Sequence, residues 1–411
     1  MTHNILSRLK QFGQTTALRH RGFRLLWTAT LLSSTAKWAD LVVIGWLTLE
    51  LTESALMVGI VAACKMVGYL AAPFMGVAAD RMDRRLLLII AAFVNWAVAF
   101  MMLVLLLTGA LVLWHIIVLS MVGSLTWALD SPARQAFVPD LVGKGNLANA
   151  IALIAVATEL TVVIGPALGG ILIPALGNSG AYGLIASIYF LDLVVLFRMN
   201  RVQQAVPKAS ESPASSLISG LRYVWSNQTV LVLLVIACLL NLLAAPYRYS
   251  FLPIFARYVL NAGPAGYGML TSMAGVGALT AGLWVVSMGN FKRKGWLVVW
   301  GGIAWPVSLL LFAASKSYHL SLALAFAAGL TQAITWTVIA TLILSNTTQP
   351  MRGRVMGLRT GVVISLPFGN LLAGAAAERF GAPVAQAAYA AIAIVIMLAI
   401  VLLVPRLRRL E

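Results

Sequence analysis

Long apolar runs alternate along the 411-residue chain with short segments that carry most of its charge. A bilayer core about 30 Å thick is crossed by about 20 residues of helix. Twelve runs of that kind can be drawn, centred near Ser34, Gly68, Trp96, Leu119, Val162, Ser187, Asn241, Val276, Ile303, Gly329, Pro367 and Ile392. The runs are continuous instead of alternating at every second residue, which predicts helices and not the strands of a barrel. The longest polar gap, residues 200–227, carries a Pro-Lys-Ala-Ser-Glu-Ser-Pro stretch and falls near mid-chain. It is read as the linker between an N-terminal six-helix bundle, 1–199, and a C-terminal one, 228–411. Within it, 217–225 has helical apolar spacing and is expected to lie along the membrane surface. The fold class that follows is an all-α membrane protein of twelve transmembrane helices in two six-helix bundles.

Composition strengthens this reading. Hydrophobic residues make up 61% of the chain and charged ones 10%, against roughly half and a quarter in soluble domains. No water-soluble fold of this length could bury so much apolar side chain. The net charge of +17 would point to nucleic acid in a soluble protein, but here the charge sits between the spans and no nucleic-acid partner is expected. With the N-terminus inside, 23 of the 29 Lys and Arg fall in inside segments, while Arg257, Lys316 and Arg379 fall outside. This predicts a multi-pass protein of a bacterial cytoplasmic (inner) membrane with both termini cytoplasmic. The first 23 residues lack the apolar core of a signal peptide and read as a basic amphipathic segment at that surface. Cys64 and Cys238 lie in apolar runs and are read as small core residues. The four His are scattered, so no metal or catalytic constellation emerges and no enzyme is expected. No Gly-x-x-x-x-Gly-Lys-Ser/Thr loop is present and no cofactor is implied, so any work the protein does would draw on gradients instead of ATP.

A shift of 209 residues superposes Gly59 on Gly268, Gly68 on Gly277, Arg84-Arg85 on Arg293-Lys294, Thr126-Trp127 on Thr335-Trp336 and Gly165 on Gly374. Two halves in the same orientation are what a parallel-repeat transporter would show.

After the second span the chain reads Gly76-Val-Ala-Ala-Asp80-Arg81-Met-Asp83-Arg84-Arg85. This resembles motif A of the major facilitator superfamily, with Asp83 where a Gly is usual. The resemblance implies that Asp80 faces the start of span 11 near Val355, and that Arg84 bridges it to Asp130 at the end of span 4. Such a latch would open when the halves rock apart. Gly165-Pro166-Ala-Leu-Gly169-Gly170 in span 5 resembles the motif C of antiporters, although Thr161 stands where an earlier Gly belongs. Physically, Gly165 and Gly169 make a small-x-x-x-small face and Pro166 bends the span. Phe23-Arg-Leu-Leu-Trp27, Leu191-Asp192-Leu, Arg352-Gly-Arg354-Val-Met-Gly357 and Ser131-Pro-Ala-Arg-Gln-Ala-Phe-Val-Pro-Asp140 are similar to the enterobactin-exporter and drug:proton antiporter branch. The resemblance covers nearly the whole chain. It departs at Ala36-Lys37, where a Gly-acid pair is common, and in mid-span 4, where an Arg is missing.

Six ionisable residues fall within spans: Lys37, Asp40, Lys65, Glu159, Asp192 and Arg248. Each costs about 2.5–3.5 kcal/mol at a helix centre and therefore tends to be paired or functional. Lys37, Asp40 and Lys65 fall at similar depth, and a cluster of the three is expected. Glu159 is read as a proton carrier, or else as a carboxyl bonded to a neighbouring span. Lys37, Lys65 and Arg248 either hold an anionic substrate group or neutralise Asp40. Asp192 is read as structural, with capping contacts, and Trp127 and Trp336 as interfacial anchors. Three positive against two negative cavity residues favours acidic or zwitterionic substrates. The functional expectation is a secondary transporter, monomeric among membrane lipids, that exports a small organic molecule (drug, siderophore or amphiphile) by alternating access in exchange for protons. An importer or lipid-directed carrier of the same fold, or a non-transporting receptor or assembly factor, remains the alternative.

Overall fold

The computed structural model describes residues 17–71, 82–200, 213–288 and 294–405. Most of the N-terminal basic segment, Gly76, Asp80 and Arg81 of the motif A loop, and most of the linker's polar stretch lie outside those residues. The chain is all-α. In the first half come α1 (Arg21–Thr52), α2 (Ala55–Cys64, followed by a tighter turn at Val67–Ala71), α3 (Arg84–Leu107) and α4 (Leu113–Gly143). Gly145–Phe197 follows and is broken at Gly177 into α5 and α6. Then α7 (Pro213–Ser226) leads to α8 (Gln228–Val259), α9 (Gly263–Met288), α10 (Lys294–Ala314), α11 (Tyr318–Ser345), α12 (Gln349–Phe380) and α13 (Ala382–Leu403). Among the described residues, α1–α6 and α8–α13 are the twelve crossings the apolar runs predict. The face where α7 lies is called the linker face below, and the opposite one the far face.

Glycine makes two sharp reversals of this first half where one helix follows another almost directly. Gly143 (φ +68°) and Gly177 (φ +71°) adopt backbone open to a residue without a Cβ, and the chain turns there without a long loop. Asp83 has a different role from the Gly it replaces. Its carboxylate accepts from the backbone N–H of Arg85 at 2.9 Å and of Leu86 at 3.3 Å, so it caps α3. Pro246 and Pro253 break the regular ladder of α8, and π-type turns follow at Tyr247–Phe251 and Phe255–Val259.

The halves meet through glycine. A Cβ added to Gly59 of α2 would stand 2.7 Å from the Gly374 Cα and the Asn370 carbonyl of α12. A Cβ on Gly268 of α9 would stand 2.8 Å from the Gly170 Cα and 2.5 Å from the Pro166 carbonyl of α5. These two crossings correspond under the 209-residue shift with one difference: α5 offers Gly170 to the other half, while Gly165 and Gly169 pack on α1 against Trp38 and Ala39. Both crossings lie toward the far face. There Glu378 accepts from the Ser54 Oγ and the Leu56 N–H, each at 3.1 Å, and Arg257 pairs with Glu53 at 3.5 Å.

On the linker face, α7 docks on the start of α12, where Arg354 Nη1 donates to Ser219 Oγ at 2.7 Å. The Thr348 N–H donates to Tyr223 Oη at 3.2 Å. Ile218, Leu221 and Trp225 stay exposed along one side of α7. Cys238 is exposed and so is not the core residue its apolar run predicts; Cys64 is half-buried.

Candidate functional site

The charged residues of the spans separate into two groups. One lies inside the first half. Asp40 on α1 pairs through Oδ2 with Lys65 Nζ at the end of α2, and its Oδ1 accepts from Tyr182 Oη on α6 at 3.0 Å. The pair faces a cavity with about 30 Å³ of free space, lined also by Asn95, Ser120, Ser124, Trp127 and Tyr189. That is enough for a water molecule, which needs about 10–15 Å³ measured in this way.

Lys37 does not join Asp40 and Lys65 as expected. Its ammonium sits 3.6 Å from the Trp127 ring centroid, a cation–π contact that a desolvated site strengthens. Trp127 is therefore an interior residue, packed edge-on against Tyr69, and not the interfacial anchor its position near a helix end predicts. Trp336 likewise packs against Trp305. Two turns along α4 from Trp127, Arg134 Nε donates to both oxygens of Asp130 at 2.8 Å. Its Nη1 and Nη2 donate to Thr30 Oγ1 and Ser33 Oγ on α1, at 3.1 and 3.0 Å. Arg134 is only 6% exposed, although its basic neighbourhood and the prolines at 132 and 139 place it in an inside loop on sequence grounds. The signal that identifies it is the i, i+4 spacing from Asp130 opposite two hydroxyls on α1. Asp192 on α6 is 0% exposed and neither of its oxygens has a hydrogen-bond partner, so it caps nothing.

The motif A expectation is corrected at Arg84. Its Nη1 donates to Asp140 at 2.6 Å and to the Ala136 carbonyl at 2.8 Å, and not to Asp130. The reason is rise along the helix. Asp130 and Asp140 are ten residues apart on α4, about 15 Å at 1.5 Å per residue, and Arg84 begins the antiparallel α3 at the level where α4 ends. Asp130 is in any case occupied by Arg134. Arg85 turns the other way and donates to the Phe197 carbonyl at 2.8 Å, closing the C-terminal end of α6.

The second group lies between the halves. The Arg248 guanidinium, in the first π-type turn of α8, stands 5.5 Å from the Trp38 ring of α1 and donates to Gln332 of α11 at 3.4 Å. Glu159 on α5 is exposed and within electrostatic range of Arg248, with no hydrogen-bond partner among the described residues. A cation on an aromatic wall, a free carboxylate opposite and an amide beside it form a surface able to hold an anionic or zwitterionic molecule. The five residues singled out from sequence thus do not share one hollow: Asp40 and Lys65 line the inner cavity, Lys37 lies against its Trp127 wall, and Glu159 and Arg248 belong to the interface. Sequence reasoning missed Arg134, Asp140, Tyr182 and Tyr189.

Twelve crossings in two like-oriented halves, joined at the far face and carrying charge between them, define a secondary transporter of the major facilitator fold. The family model described as "Transmembrane secretion effector" matches residues 13–411, and the chain belongs to that family. Relatives include the enterobactin exporter EntS of Citrobacter koseri, 28% identical over 373 residues, covering 88% of this chain and 84% of that protein. The enterobactin exporter EntS of Escherichia coli O1:K1 / APEC is 27% identical over 367 residues, with 87% and 82% covered. Among solved structures, the nucleoside transporter NupG superposes with a TM-score of 0.77 at 12% identity, covering 92% of this chain and 98% of that one. A bacterial homologue of the human lysosomal transporter Spinster gives 0.74 at 13% identity, covering 95% and 98%. The chain is an integral membrane transporter that exports a small molecule, and not an enzyme.

Proposed function

We propose that the chain exports an acidic or zwitterionic organic molecule, of the siderophore kind its relatives are named for, across the inner membrane in exchange for protons. The observation that supports this reading is the Arg248–Trp38–Gln332 contact between the halves, with Glu159 in electrostatic range of Arg248 and without a hydrogen bond among the described residues. Arg248 attracts the anionic group of the substrate and Trp38 stacks on its ring. Glu159 carries the exchanged proton, binding it in one conformation and releasing it in the other. Residues 1–199 and 228–411 move as the two rocking bodies, and 200–227 links them on the cytoplasmic face, where both termini lie. The protein works as a monomer surrounded by lipid.

Everted vesicles from cells overproducing the protein test the proposal with enterobactin as the probe. An acid-inside gradient should drive its uptake. Glu159→Gln should abolish that response while leaving exchange of labelled for unlabelled enterobactin. Gradient-driven uptake that survives the change overturns the carrier role, and uptake favoured by the opposite gradient overturns the direction.

A further inference from the structure

We propose that Asp192 is a second proton-binding site, reached from the cavity inside the first half and separate from the Glu159 and Arg248 surface between the halves. The starting point is its isolation. The side chain is fully buried and both carboxyl oxygens lack a donor. An ionised carboxylate so placed has neither water nor a hydrogen bond to replace its hydration, whereas a bound proton removes the charge. Bare structural need does not explain the residue. Under the 209-residue shift its counterpart is Val401, and the counterparts of Asp130 and Arg134 are Ile339 and Ile343, all buried. The same fold is thus built in the second half with hydrocarbon at these positions.

The surroundings supply a route and a counter-charge. Tyr189, one turn before Asp192 on α6, lines the cavity into which Asp40 and Lys65 project. It is electrostatically coupled to Asp40, Asp130 and Asp192. The cavity has space for water, and a side-chain rotation that brings the Tyr189 hydroxyl onto the Asp192 carboxyl, which it does not bond here, would link that water to Asp192. From α4, Arg134 and Asp130 both act on Asp192, and Lys37 of α1 acts on Asp130 from the other side. From α3 the same core receives Leu88, Ala91 and Ala92, which do not titrate, and Arg85 is engaged at the carbonyls that end α6. Glu159, the ionisable residue of α5, belongs to the interface between the halves.

Arg134 is the point where proton binding meets conformation. In this structure it is committed to Asp130 and to the two α1 hydroxyls, and Asp192 goes without. When Asp192 gives its proton to cavity water it gains a negative charge within reach of Arg134. The guanidinium is then divided between two carboxylates, and its hold on Thr30 and Ser33 of α1 loosens. Proton release inside the first half is thereby felt on α1, the helix that carries Trp38 to the substrate path.

The proposal rests on the transporter reading but needs neither Glu159 nor the identity of the substrate. Infrared spectroscopy of the full chain in phosphatidylethanolamine–phosphatidylglycerol liposomes tests it, with pH steps and no transported molecule. The expected result is a carboxylic-acid C=O band at neutral pH that moves when the protein is labelled with carbon-13 at the aspartate carboxyl. The band should be lost completely in Asp192→Asn, retained in Glu159→Gln, and titrate at a different pH in Arg134→Lys. A band that survives Asp192→Asn, or one that ignores the aspartate label, overturns the proposal. If Asp192→Asn does not fold, the label on the wild-type protein and the changed band position in Asp192→Glu decide instead. Enterobactin flux is not read in this experiment, so its failure leaves the exporter reading standing.

Discussion

The two halves follow one backbone plan and differ in what they bury. Among the described residues, the buried charged side chains Lys65, Arg134 and Asp192 all belong to the first half. The buried polar residues of the second half are neutral: Asn241, Ser250, Thr271, Ser272, Ser308, Ser315, Ser321, Thr335, Thr347, Asn370 and Gln386. Its one charge at depth, Arg248, is half-buried and turned toward the interface. Where the first half places Lys65, Asp130, Arg134 and Asp192, the second places Ala274, Ile339, Ile343 and Val401. Burying a charge carries a desolvation penalty that a hydrocarbon core avoids. The first half bears that penalty in full at Lys65, Arg134 and Asp192 and in part at Asp130, positions where its sister shows it to be unnecessary for folding. On the proposals above, these charges serve proton binding within the first half, apart from the Glu159 and Arg248 surface between the halves.

The comparison can be broken most sharply at Arg134. Arg134→Ile alone leaves the partly exposed Asp130 without its partner and should cost about 1–3 kcal/mol, seen as a marked fall in the melting temperature of the purified protein. The combined change Asp130→Ile, Arg134→Ile and Asp192→Val copies the second half into the first. It should restore most of that stability and yet show no gradient-driven transport. Next in size is Gly59→Leu, whose side chain would collide with the α12 backbone at Gly374. It should keep the halves apart at the far face and stop net flux, while an impermeant thiol reagent gains access to a cysteine placed there. Arg248→Gln should raise the KM for enterobactin roughly tenfold, as loss of about 1–2 kcal/mol of charge-assisted contact implies, with little effect on melting. The smallest effect belongs to Ser54→Ala, which removes one of two donors to Glu378 and the α2 cap that accepts from the Met57 N–H at 3.3 Å. A loss of about 0.5–1 kcal/mol is expected, visible as a slight fall in melting temperature.

Much of this was legible in the chain itself, residue by residue. The twelve apolar runs, the prolines that interrupt α8 and the amphipathic spacing of 217–225 rest on local chemistry, and the helices stand there. The glycines at 59, 268 and 374 could be aligned by the repeat because a close crossing admits only small residues. Gly165 failed as the match for Gly374, since which of several neighbouring glycines meets the other half depends on how the helix is rotated about its axis. Arg84 went to the wrong acid for a similar reason: motif spacing gives the type of partner, while the relative height of two antiparallel helices gives its identity. Arg134 was lost among inside-loop charges because a sequence shows a basic residue near a span's end without showing whether the helix continues.

What the sequence by itself determined is the membrane as solvent, the helices and the doubled plan, because a bilayer screens each segment by its own length and hydropathy. Only the tertiary structure decided that Lys37 turns to Trp127, that Asp40 and Lys65 face a hollow within one half, and that Asp192 stands alone. Those outcomes depend on side chains from distant segments reaching the same point. No single helix carries that information, since an ionisable group takes its partner from helix rotation and packing depth.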